Sequence, residues 1–194
     1  EIGFGLSYEM TPYLDKGLDF VAMLPDDLQT YTYYDAAVLA RQLQPILARE
    51  KFVTVFTSPL QRARDTCDLA GLGTLASIDR DLMEWNYGEY EGLTTDQIRQ
   101  TRPDWSVFRD GCPGGESPLQ VSVRADRIIS RARTVDGNVA LFSHGHILRV
   151  LAARWISLSA SYGENFLLDT ATLNVLGYYR ESPAFKIWNA PLHN

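Results

Sequence analysis

The sequence predicts an α/β fold with a largely parallel sheet, and three observations predict it. From residue 36 onward, short β-branched apolar runs alternate with stretches whose apolar residues recur at helical spacing. Strand, tight turn and helix follow one another twice, at FVTVF-TSPLQRA and at NVALF-SHGHILR. Serine or threonine stands three residues before glutamine at three places, the signature of a capped helix start. The 194 residues suffice for one core, so residues 1–194 are read as one domain.

The elements follow in order. Ala36, Leu39, Leu43 and Ile46 predict a helix over about Asp35 to Ala48 with one buried face. Phe52 to Phe56 reads as a buried strand. Ser58 with Gln61 reads as a capping box with Pro59 at the first helical position, opening a helix that turns Leu60, Ala63, Cys67 and Ala70 inward. Thr94 with Gln97 marks another start. Ser117 with Gln120, again followed by proline at Pro118, opens a helix with Val121, Ala125, Ile128 and Ala132 facing the core. Asn138 to Phe142 is a further buried strand, Gly145 to Ile156 a helix, and Leu173 to Tyr179 and Ala184 to Trp188 late strands.

Composition narrows the function. A net charge of −6 argues against a nucleic-acid partner. No stretch reads as a membrane span, and the opening EIGFGLSYEM lacks the basic and apolar regions of an export signal. Cys67 and Cys112 are far apart and suit buried thiols in a reducing, cytoplasmic setting. The charge is unevenly placed: residues 1–40 hold seven acids and one base, whereas the remainder holds 17 of each. A composition step of that size marks a boundary near residue 35, and the aromatic stretch Met23 to Asp35 beside it is a candidate contact surface.

Both strand–turn–helix units should open on one crevice, because ligands of such sheets bind outside the carboxyl ends of the strands. His144 is there, either as a hydrogen-bonded structural residue or as a donor to an anion, with Gly145 next to it so that an oxygen can approach the backbone N–H. His146 reads as a capping or packing residue, and His193 as exposed and incidental. Arg62, near the start of its helix, is either a solvated surface residue or a bidentate partner for the same anion. The stretch MEWNYGEYEGL is either a surface loop with glycine turns or a loop that tucks Glu84 against Trp85 and Tyr87, where burial would raise its pKa towards that of a general acid. Glu89 and Glu91 read as solvated.

At these residues the chain resembles the histidine phosphatase superfamily, the phosphoglycerate-mutase-like enzymes. TSPLQRARDT, MEWNYGEYEGL, GGES and FSHGHILR occur in the family's order over roughly residues 36 to 180. The resemblance implies a three-layer α/β/α sandwich with a mostly parallel central sheet and a phosphatase acting on a small phosphorylated metabolite, with a sugar phosphate the nearest branch. It implies that Arg62, His144 and Gly145 bind phosphate, that Glu84 and His144 are catalytic, with Glu84 protonating the leaving oxygen, and that no metal or organic cofactor takes part. It also implies a nucleophilic histidine in an R-H-G motif near the N-terminus, which becomes a phosphohistidine. The corresponding place falls near Met10-Thr11-Pro12-Tyr13, no histidine precedes His144, and no arginine precedes Arg41, so residues 1–35 are atypical. Two readings follow. One is a phosphatase whose first segment differs from residues 1–35 as written; the other is a family member without turnover that binds a phosphorylated ligand or a partner protein. Oligomeric state is not legible.

Overall fold

Residues 40–169 and 172–190 are described by a computed structural model. Expectations for residues 1–39, including the Met23 to Asp35 surface and the start of the first helix, lie outside them, as does His193. Residues 40–47 are helical and form α1. The sequence then gives β1 (Phe52–Thr57), α2 (Gln61–Leu69), β2 (Ala76–Ile78), α3 (Thr95–Arg99), α4 (Val107–Asp110), α5 (Pro118–Arg133), β3 (Asn138–Phe142), α6 (Gly145–Trp155), β4 (Leu173–Tyr179) and β5 (Ser182–Ala190).

β1 is the middle of a three-stranded parallel sheet of order β2-β1-β3, and β4 pairs antiparallel with β5. Because side chains alternate along a strand, β1 and β3 serve two cores at once. Val55, Ala140 and Phe142 join Leu43 of α1 and Cys67 and Ala70 at α2 in one apolar cluster. Phe56 and Leu141 pack against the other, built from Val121, Ala125 and Ile128 of α5 and Ile147, Val150 and Leu151 of α6. Helices on one face, a parallel sheet, and helices on the other make the three-layer α/β/α arrangement.

The capping boxes at Thr94/Gln97 and Ser117/Gln120 form as read, each with the two reciprocal bonds, and Pro118 opens α5. The third does not. α2 begins at Gln61 with Leu60 as N-cap and no side-chain cap, because the Ser58 hydroxyl accepts from Leu60 N–H and turns towards β3 instead. Two further corrections are smaller. Phe52 to Phe56 is buried only towards its carboxyl end, with Val53 exposed, and the last strand runs from Ser182 to Ala190, longer at both ends than the alternating pattern suggests. Cys67 and Cys112 are buried free thiols, and burial pushes both up to about 12. Among the described residues, no helix is long and apolar enough to cross a membrane.

Candidate active site

The register of the sheet builds the site. Thr57 pairs with Phe142, and Ser58 N–H donates to Phe142 O at 2.9 Å, so the chain leaves β1 and β3 at the same level. The two turns therefore sit side by side. His144 is the N-cap of α6 in extended conformation and is fully buried. Its Nε2 lies 2.7 Å from the Ser58 hydroxyl, itself fully buried. Arg62 lies in the first turn of α2, and its carbonyl accepts from Thr66 Oγ1.

Arg62 and His144 share one electrostatic environment. Burial, and then the Arg62 and Arg124 charges, lower the His144 pKa to about 4 against the opposing pull of Glu84. The imidazole is thus neutral at pH 7. Arg62 Nε is buried and meets no hydrogen-bond partner among the described residues.

Glu84 belongs to the same cluster, though not in the state expected of it. Its Oε1 accepts from Trp85 N–H at 2.8 Å and Ile147 N–H at 3.1 Å, while Oε2 accepts from His146 N–H at 3.2 Å. A carboxylate from a distant loop therefore caps α6, where unpaired N–H groups and the helix dipole favour negative charge. Burial pushes this carboxyl up, but its interactions with His146, His144 and Trp85 N–H outweigh burial and hold it at about 2. The expectation of a raised pKa fails for that reason: the loop does bury Glu84, but against donors rather than apolar rings alone. His146 packs as read, buried between Tyr87 and Phe108, with Nδ1 2.6 Å from the Tyr87 hydroxyl and 3.7 Å from Glu84 Oε2. Glu89 and Glu91 are exposed.

What holds Glu84 in place is a clamp whose role was not read from the sequence. Arg124 of α5 forms a bidentate pair with Glu116, at 2.7 and 2.8 Å, and donates to the carbonyls of Asp81 and Met83 just before Glu84. Glu116 in turn accepts from Asn86 N–H, and its carbonyl accepts from Trp85 Nε1. The two loops approach backbone to backbone, so a Cβ at Gly88 would run into Pro113 and Gly115, and one at Gly115 into Asn86. Hence Gly88 in one motif and Gly115 in the other. Ser143 Oγ donates to Leu82 O at 2.7 Å and ties the same segment to the end of β3. A signal for Arg124 existed: it falls at helical spacing between Val121 and Ile128, on the buried face of α5. Ser58 gave no such signal, because its local spacing to Gln61 suited a cap equally well.

An arginine with a buried Nε, a buried histidine and a capping carboxylate thus share one electrostatic cluster at the carboxyl ends of parallel strands. The sequence model of the histidine phosphatase superfamily (branch 1) matches residues 37–191. The chain belongs to this superfamily. Among its relatives is an acid phosphatase of Mycobacterium tuberculosis, 44% identical over 126 residues, 64% of this chain and 62% of that protein. A sedoheptulose 1,7-bisphosphatase of Saccharomyces cerevisiae is 36% identical over 130 residues, 54% of this chain and 48% of that protein. These matches span about half to three-fifths of the relatives' lengths. A solved structure of an open reading frame from Mycobacterium tuberculosis superposes with a TM-score of 0.77 at 35% identity, covering 81% of this chain and 83% of that one.

Proposed function

We propose that the site takes the phosphoryl group of a small phosphorylated metabolite of the sugar phosphate class, in a phosphatase of the histidine phosphatase type. The observation that carries this reading is Arg62, whose buried Nε meets no acceptor among the described residues and whose charge reaches the fully buried imidazole of His144. A buried donor on a cation is costly until an anion completes it, and a guanidinium matches phosphate oxygens with two parallel bonds. Gly145 N–H adds a third donor, being the one in the first turn of α6 that Glu84 does not take. The sugar phosphate class is supported by the sedoheptulose 1,7-bisphosphatase relative, phosphatase activity by the acid phosphatase relative, and a cytoplasmic setting by the buried thiols. The reading needs no metal, nucleic acid or membrane.

In this reading a histidine nitrogen attacks phosphorus, the leaving oxygen departs with a proton from Glu84, and water then cleaves the P–N bond. Glu84 must gain that proton first, and a phosphoryl dianion in the pocket raises its pKa by like-charge repulsion. The attacking residue is neither His144, whose Nε2 is engaged by Ser58, nor His146, whose ring lies against Tyr87. No histidine precedes them in the sequence as written. That observation favours a second reading, in which this chain binds a phosphorylated ligand without turnover.

Purified chain of verified intact mass separates the two when a generic aryl phosphate and inorganic phosphate are offered in turn. The first reading expects hydrolysis at ordinary enzyme rates, lost on Arg62→Ala. The second expects heat of phosphate binding with hydrolysis slower on the order of a million-fold, the usual consequence of a missing nucleophile. Neither heat nor hydrolysis would contradict both. Peptide sequencing of the natural protein's N-terminus completes the test, since an R-H-G motif there supplies the nucleophile and Thr11-Pro12-Tyr13 leaves the binding reading.

A further inference from the structure

We propose that Ser58 is a positioning residue that fixes His144 in one tautomer, with the ring proton on Nδ1 and Nε2 accepting from the serine hydroxyl. A hydroxyl has one hydrogen to donate and two lone pairs with which to accept. Leu60 N–H, at 3.2 Å, uses one lone pair of Ser58 Oγ. His144 Nε2, at 2.7 Å, is the other partner of that oxygen among the described residues. If Nε2 carried the proton, Ser58 Oγ would accept twice and its own hydrogen would have no acceptor among the described residues. Serine and histidine are both 0% exposed, so bulk water does not reach the pair. The hydroxyl hydrogen therefore goes to Nε2. The result is a directed chain from Leu60 N–H through Ser58 to the imidazole, which starts at the turn after β1 and ends at the turn after β3.

The low proton affinity of His144 agrees, because a neutral ring has a lone pair to offer and an imidazolium has none. The same bond explains why α2 goes without a side-chain cap, since the serine placed to cap it is committed across the sheet. Resting on the phosphate-site reading, the arrangement fixes which ring nitrogen of His144 is a donor.

The test uses the full 194-residue chain labelled with ¹⁵N at histidine, read by two-bond ¹H–¹⁵N correlation near pH 7, with His144→Gln to identify the signals. Wild type is expected to show His144 protonated at Nδ1 and unprotonated at Nε2. Ser58→Ala should mix or reverse the tautomers, and Ser58→Thr, which keeps the hydroxyl, should restore them. A wild-type His144 protonated at Nε2 would overturn the proposal without any variant, as would a Ser58→Ala spectrum unchanged from wild type. Inorganic phosphate titrated into the same samples checks the phosphate-site reading separately. Affinity should fall about tenfold in Ser58→Ala, the usual effect of one mispaired buried donor, and return in Ser58→Thr. If wild type binds no phosphate, that reading fails, while the tautomer spectrum still decides the role of Ser58.

Discussion

The two strand–turn–helix units, TSPLQRA and FSHGHILR, share a sequence grammar and end at the same level of the sheet, yet their helix starts are completed in opposite ways. α6 has its first turn closed by a carboxylate 62 residues away in sequence, with Glu84 accepting from His146 N–H, and needs nothing from its own N-cap. α2 has no side-chain cap, an arginine in its first turn with a buried nitrogen lacking a partner among the described residues, and a serine turned towards His144. One helix start has two of its N–H groups taken by a carboxylate, and the other carries an arginine nitrogen with no acceptor among the described residues. The difference teaches that a polar residue at a strand end can be committed across the sheet at the expense of its own helix.

That contrast can be broken, beginning with the largest effect. Arg62→Ala should weaken inorganic phosphate binding by at least about a hundredfold, because a buried charge-assisted pair contributes roughly 3 kcal/mol, whereas Arg64→Ala on the exposed side of α2 should change calorimetric affinity little. Glu84→Gln should cost about 2 to 3 kcal/mol of stability in urea unfolding, since an amide accepts at one atom only and its NH₂ faces backbone donors. The pH dependence of stability has a definite sign. His144 titrates near 6.5 when unfolded and about 4 when folded, so the unfolded chain holds more protons between these values; its contribution is complete above pH 6.5 and is lost as pH falls through about 4. Glu84 repeats the pattern lower, from 4.5 down to about 2. Each window is worth at most about 3 kcal/mol, and His144→Asn should flatten the upper one in unfolding measured from pH 7.5 to 4. The smallest effect sharpens the comparison from the other side: Ser117→Ala removes a true capping box and should cost about 1 kcal/mol without touching phosphate affinity.

The layers of the fold were legible because strand and helix periods are local properties, and Val55 against Phe56, or Ala140 against Leu141, show the period of two serving two cores. Two of the three capping boxes were legible for the same reason. Residues 62, 84 and 144 could be nominated because each falls in a short motif at a strand end or glycine turn. What they do to one another was not legible. Glu84 was read from its neighbours Trp85 and Tyr87, which speak for burial, while its donors come from α6, far along the chain. Ser58 was read as a cap because only the register of β1 against β3 reveals that His144 is within reach. Long-range register and the direction of a hydrogen bond are tertiary facts, and spacing along the chain does not encode them.

The central claim is that Arg62 and His144 grip one anion, and a double-mutant cycle on phosphate binding tests it most directly. Inorganic phosphate is titrated by calorimetry into wild type, Arg62→Ala, His144→Ala and the double variant. The account predicts that the double variant loses less affinity than the two single losses combined, with a coupling of at least about 1 kcal/mol, because each residue needs the other to hold the same oxygens. Strictly additive losses, or a wild-type chain that binds no phosphate, would contradict it.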